Sequence, residues 1–240
     1  MKFGDKISHQ ISRFLRYADK YGILITINTF NLMDKFTEGN KMAVEENSKD
    51  LISVLWSGAD ILRSKMDANE YKDYLLGIVF YKYLSDSFLI KVYDMICDDK
   101  PETLQDALNT YIEELKGEDA EELVAEMKRE CHYVIEPELT YTRFADDARN
   151  NVFSREQLQK AFNNIEQSDP LFADLFTDID LYSNRLGTGD QKQSDTVASL
   201  IREIDKADLL NSDSDVLGNA YEYLIGQFAS ETGKKAGEFY

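Results

Sequence analysis

The stretch EYKDYLLGIVFYKYLSDSFLIKVYDMI, residues 70–96, decides the fold. Its apolar side chains recur at helical spacing, and its centre, IVFYKYL at residues 78–84, is apolar on almost every side. A helix of that kind must be covered by neighbours, so we predict that it lies at the centre of a helical bundle. The helix is predicted to begin after Asp67, with Glu70 completing an acidic capping box.

Weaker helical patterns surround this central helix. They are predicted around residues 47–62, 104–115, 123–131, 154–165, 197–204 and 217–228. Ser154 with Gln157 forms a second capping box at the start of one of them. With only 3 Pro and 12 Gly in 240 residues, the composition also favours long helices. We therefore predict a mainly all-α protein.

Two segments break the helical pattern. HYVIEPELTYTRF, residues 132–144, alternates, is β-branched and contains a proline, so we predict a short extended or hairpin-like segment there. SNRLGTGDQKQS, residues 183–194, is predicted as a linker. The Gly187-Thr188-Gly189 triplet inside it does not follow a clear strand and lacks a third glycine, so it favours a flexible connection over a nucleotide loop.

The net charge of -18 repels nucleic acid over most of the surface. Contact with DNA therefore needs a local basic patch or a partner. A helix predicted at residues 2–20 carries Lys6, Arg13 and Lys20 a heptad apart. That pattern is compatible with a helix that faces DNA or a membrane surface, but we favour a solvated polar face.

Cysteine and histidine usage excludes several classes of site. Cys97 and Cys131 form no pattern, which indicates free thiols in a reducing cytoplasm. His9 and His132 stand in no ligand spacing, so no metal site and no histidine base is predicted. A membrane span and a secretory signal are also not predicted, since no apolar run is long enough.

Two stretches resemble one family. WSGADILRSKMDANEYKDYLLGIVFYKYLSD, residues 56–86, is similar to the N-terminal helical domain of the modification (M) subunit of type I restriction–modification systems. LGNAYEYLIGQFASETGKKAGEFY, residues 217–240, resembles the segment that opens the catalytic domain of the same subunits, with Ala236 where a glycine is common. Between them, residues 134–139 and 175–187 fit the family more loosely. The resemblance begins near residue 46.

The resemblance implies a DNA N6-adenine methyltransferase that uses S-adenosylmethionine. Glu238, Phe239 and Tyr240 are the donor-binding residues that it implies, and an aromatic ring such as Tyr240 suits the sulfonium cation. Ordinary packing remains an alternative role for the two aromatics. No catalytic residue is assigned, because the expected Asn-Pro-Pro-aromatic motif, which holds the flipped adenine, does not occur in these 240 residues. We therefore expect the N-terminal portion of the enzyme, inactive by itself.

The resemblance also implies an organisation and partners. Residues 1–45 are an extension outside the family or an upstream start before Met42, 46–182 the helical domain, 183–194 the linker, and 195–240 the start of a truncated α/β methyltransferase domain. The implied partners are the specificity subunit, a second M subunit, the restriction subunit and, through the complex, DNA, which the helical domain closes around. Two alternatives remain: a stand-alone acidic helical protein such as a DNA mimic, and an unrelated metal-dependent enzyme.

Overall fold

The computed structural model of the protein describes residues 46–210. Within that range it is helical and contains no strand, which confirms the all-α prediction for this part of the chain. The helices are α1 (Glu46–Arg63), α2 (Ala68–Ile96), α3 (Leu104–Glu114), α4 (Ala120–Cys131), α5 (Tyr141–Arg149), α6 (Arg155–Ser168) and α7 (Asp190–Ile204), with short 3-10 helices at Pro137–Leu139 and Pro170–Phe172.

One compact unit comprises Leu55–Lys206. The second unit comprises Met1–Val54 and Ala207–Tyr240, and of it the structure describes only residues 46–54 and 207–210. The predictions for residues 1–45 and for the final helix around 217–228 lie outside the described residues.

Helix α2 lies at the centre of the Leu55–Lys206 unit, as predicted. It packs against α3, α5 and α7, and the side chains of Leu75, Ile78 and Leu84 are completely buried. The predicted capping box is present, since the Glu70 carboxylate accepts a hydrogen bond from the Asp67 N–H at 3.4 Å. The helix is therefore defined both by its local cap and by burial on several sides.

Aromatic rings fill the space beside the middle of α2. The Tyr81 ring meets Phe162 of α6 edge-on at 5.6 Å and lies 6.1 Å from Phe144 of α5. Phe162 in turn stacks on Phe176 at 4.0 Å, with the rings almost parallel. The apolar cluster after Pro170 thus reaches the main core through Phe176.

Helices α3 and α4 are rich in acidic residues. Ala107, Leu108 and Tyr111 bury the inner face of α3, and Thr103 caps its start by accepting from the Asp106 N–H at 3.2 Å. Helix α4 ends at Cys131. Cys131 is buried, Cys97 is partly buried, and neither forms a disulfide.

The segment 132–144 corrects the sequence prediction. Residues 133–136 lie outside helices, but Pro137–Leu139 is a 3-10 helix and α5 already begins at Tyr141, so there is no hairpin. Thr140 caps α5 by accepting from the Arg143 N–H at 3.3 Å. The Tyr141 N–H donates to the Ser85 hydroxyl of α2 at 2.7 Å. The Tyr141 N–H is therefore not available for a β-ladder. Its acceptor, Ser85, lies 56 residues away in sequence.

Helices α6 and α7 also differ in detail from the predictions. Ser154 caps α6 as predicted, but the side chain that bonds to it is Glu156, not Gln157. Helix α7 begins at Asp190, inside the predicted 183–194 linker, and the whole of that segment belongs to the Leu55–Lys206 unit. The predicted methyltransferase portion, 195–240, lies largely outside the described residues, and the domain boundaries stay a prediction.

Candidate functional site

The predicted donor-binding residues, Glu238, Phe239 and Tyr240, lie outside the described residues, so their role stays a prediction. In the described range, His132 ends α4 with a left-handed backbone at φ 65°, and its Nδ1 lies 3.6 Å from a carboxylate oxygen of Asp169. No group of three metal-ligating side chains occurs among residues 46–210. None of the helices in that range is both long enough and apolar enough to cross a membrane.

The polar residues of the KYLSD motif, residues 82–86, are buried and make contacts within the protein interior. The Lys82 ammonium and the Asp86 carboxylate form an ion pair at 2.6 Å, with side chains only 4% and 2% exposed. The ring of Tyr141 lies 5.0 Å from the Lys82 ammonium. Together with the Ser85 bond to the Tyr141 N–H, this pair attaches α5 to α2. The KYLSD motif therefore has a structural role, which is to join α5 to α2.

A shallow cavity of about 190 Å³ lies between α7 and the α5–α6 turn. Arg202 lines this cavity, and its guanidinium donates to the Ala148 carbonyl at 2.7 Å and to the Ser199 hydroxyl at 3.0 Å. The cation is thus used in joining α7 to α5. The cavity is lined by Asn151, Phe153, Asp195, Ala198, Ser199 and Arg202.

The loop of residues 180–189, which we call the docking loop, is irregular but is held by several long-range hydrogen bonds. Side chains from α2, from α7 and from the turn after α1 donate hydrogen bonds to its backbone carbonyls. The Tyr74 hydroxyl donates to the Asp180 carbonyl at 2.7 Å, and the Gln193 amide donates to Tyr182 at 3.0 Å and to Ser183 at 3.2 Å. The Leu186 carbonyl accepts from two side chains, Lys65 at 3.1 Å and Thr196 at 2.7 Å.

The buried side chain of Arg155 contacts the docking loop at the ring of Tyr182. It is only 4% exposed although it begins α6. Its guanidinium bonds to Gln193 and pairs with Asp190 at 2.7 Å, and it stacks under the ring of Tyr182 at 4.5 Å. The neighbouring hydroxyl of Ser154 lowers the pKa of Glu156, with a smaller contribution from the Arg155 charge. Arg155 therefore orders three segments: the start of α6, the start of α7 and the loop.

The outer side of the docking loop is accessible. Tyr182 is 47% exposed, one of two large apolar side chains with that much exposure in the described range, the other being Val152. Asn184 and Thr188 are exposed as well, and Arg185 pairs with Glu70 of α2. Sequence reasoning took these residues for a linker. The signal that it missed is Leu186, an apolar residue between polar ones, which the structure buries completely.

Comparison with known proteins shows one family over most of the chain. The HsdM N-terminal domain model matches residues 51–204, and the N-6 DNA Methylase model matches residues 212–240. A crystal structure of a type I restriction-modification system methyltransferase subunit from Streptococcus thermophilus is 48% identical, with a TM-score of 0.72. That match covers 76% of this chain and 39% of the other.

Two curated relatives are also type I restriction enzyme methylase subunits. The type I restriction enzyme MpnII methylase subunit of Mycoplasma pneumoniae is 26% identical over 200 residues, which is 78% of this chain and 36% of that protein. The MjaVIII methylase subunit of Methanocaldococcus jannaschii is 30% identical over 201 residues, 82% of this chain and 30% of that protein. The chain thus spans about a third of the length of these curated relatives.

Proposed function

This chain belongs to the HsdM N-terminal domain family, and from that premise we propose that it is the N-terminal part of a type I restriction–modification methyltransferase subunit. The observation that carries the proposal is the order of the two family matches. The helical domain at 51–204 is followed directly by the first residues of an N-6 DNA methylase at 212–240. A stand-alone acidic protein, such as a DNA mimic, has no reason to carry the second match.

The proposed reaction of the whole subunit is transfer of a methyl group from S-adenosylmethionine to N6 of adenine in DNA. Glu238, Phe239 and Tyr240 would contribute to the donor site, where an aromatic face favours the sulfonium cation. The Asn-Pro-Pro-aromatic motif for the flipped base is not among these 240 residues. The chain by itself is therefore expected to be inactive.

The proposed role of the helical domain is assembly and closure around DNA in the cytoplasm. Its partners would be a specificity subunit, a second methyltransferase subunit and a restriction subunit. The described residues support a mechanical role, because polar side chains in the interior are used to join helices: the buried Ser85 and Lys82 join α2 to α5, and the partly buried Arg202 joins α7 to α5.

A chimera tests this proposal. Residues 51–204 of this chain would replace the matching part of the Streptococcus thermophilus subunit, whose identity of 48% makes correct packing realistic. Methylation is measured as transfer of tritium from labelled S-adenosylmethionine to adenine in DNA. We expect an active chimera and no transfer by the 240-residue chain alone. A folded and assembled chimera that does not methylate DNA would contradict the proposal.

The matched control is the same chimera with Leu75→Asp, which places an unpaired charge in the core at a completely buried position. It should abolish both assembly and transfer. An equally active control would show that the helical domain does not contribute to the assay.

A further inference from the structure

We draw no further inference here: the strongest candidate, the shallow cavity between α7 and the α5–α6 turn beside the exposed Val152, is lined by the Ser199 and Arg202 side chains, which already bond within the fold, and nothing in residues 46–210 shows what covers it.

Discussion

The hydroxyl of Tyr81 in α2 donates a 2.7 Å hydrogen bond to the backbone carbonyl of Leu139, across 58 residues of sequence. Both residues are buried. The same kind of bond recurs in the described chain, where buried tyrosine hydroxyls donate to the backbone carbonyls of distant segments: Tyr74 to Asp180, Tyr111 to Ile135, Tyr133 to Leu84 and Tyr141 to Ile201. The aromatic rings fill the core while their hydroxyls donate to backbone carbonyls of distant segments.

Tyr81→Phe is expected to lower the free energy of unfolding by about 1–3 kcal/mol, because the ring stays packed while the buried Leu139 carbonyl loses its donor. Urea unfolding measures the change. The matched control is Tyr182→Phe, which removes a hydroxyl from an exposed ring and should stay within about 0.5 kcal/mol. Equal effects of the two substitutions would contradict this account of the core.

Alkaline pH should destabilise the fold through the same tyrosines. Burial raises the pKa of Tyr74 to about 12, with a further contribution from the Asp180 charge, and burial also raises the pKa of Tyr81, Tyr111 and Tyr141. Between the ordinary value near 10 and the raised value, the unfolded chain has lost protons that the folded chain keeps. Stability is therefore fully present below about pH 10 and falls as pH rises from there toward 12.

Urea midpoints measured between pH 8 and pH 12 test this sign. The wild-type midpoint should fall steeply above about pH 10, and Tyr74→Phe should fall less steeply, since one group with a raised pKa is gone. A midpoint that rises with pH in this range would refute the prediction.

The Lys82–Asp86 pair predicts strong non-additivity. Lys82→Met or Asp86→Leu alone should cost about 3–5 kcal/mol, because each leaves the other charge buried without its partner. The double variant should recover most of that loss, since an apolar pair of similar volume needs no desolvation of charge. A double-mutant cycle from urea unfolding measures the coupling, and additive losses would show that the two side chains act independently.

Gly77 of α2 predicts a test of close packing. A Cβ at this position would collide with the Cδ1 of Ile179 in the segment before the docking loop. Gly77→Ala is therefore expected to destabilise by about 1–3 kcal/mol through overpacking, which exceeds the gain in helix propensity. Adding Ile179→Ala should reduce the penalty of the glycine substitution, and thermal or urea unfolding of the four combinations decides whether it does.

The parts that sequence predicted well depend on neighbours within one helix. The start of α2 follows from Asp67 and Glu70, and its central position follows from the apolar run at 78–84. Where prediction failed, the deciding contact comes from far away. The Ser85 hydroxyl that holds the start of α5 is 56 residues from Tyr141, and no local pattern announces it.

The docking loop shows the same limit more strongly. Glycines and polar residues at 183–194 are typical of a linker. Their order comes from Tyr74, which is 106 residues before the carbonyl that it binds, and from Lys65, which is 121 residues before its own acceptor. Residues 238–240 were predicted to bind the methyl donor from family resemblance alone, and they lie outside the described range, so that role stays a prediction.

The enclosure of α2 also determines how the Leu55–Lys206 unit opens. Amide protons at Ile78, Tyr81 and Leu84 belong to completely buried residues, so they meet deuterated solvent only when the packed helices around them separate. Their exchange rates therefore report the opening of the entire bundle, while amides near the ends of the outer helices exchange through local fraying. The amide exchange rates in the middle of α2 can thus be used to compare the global stability of this unit between variants.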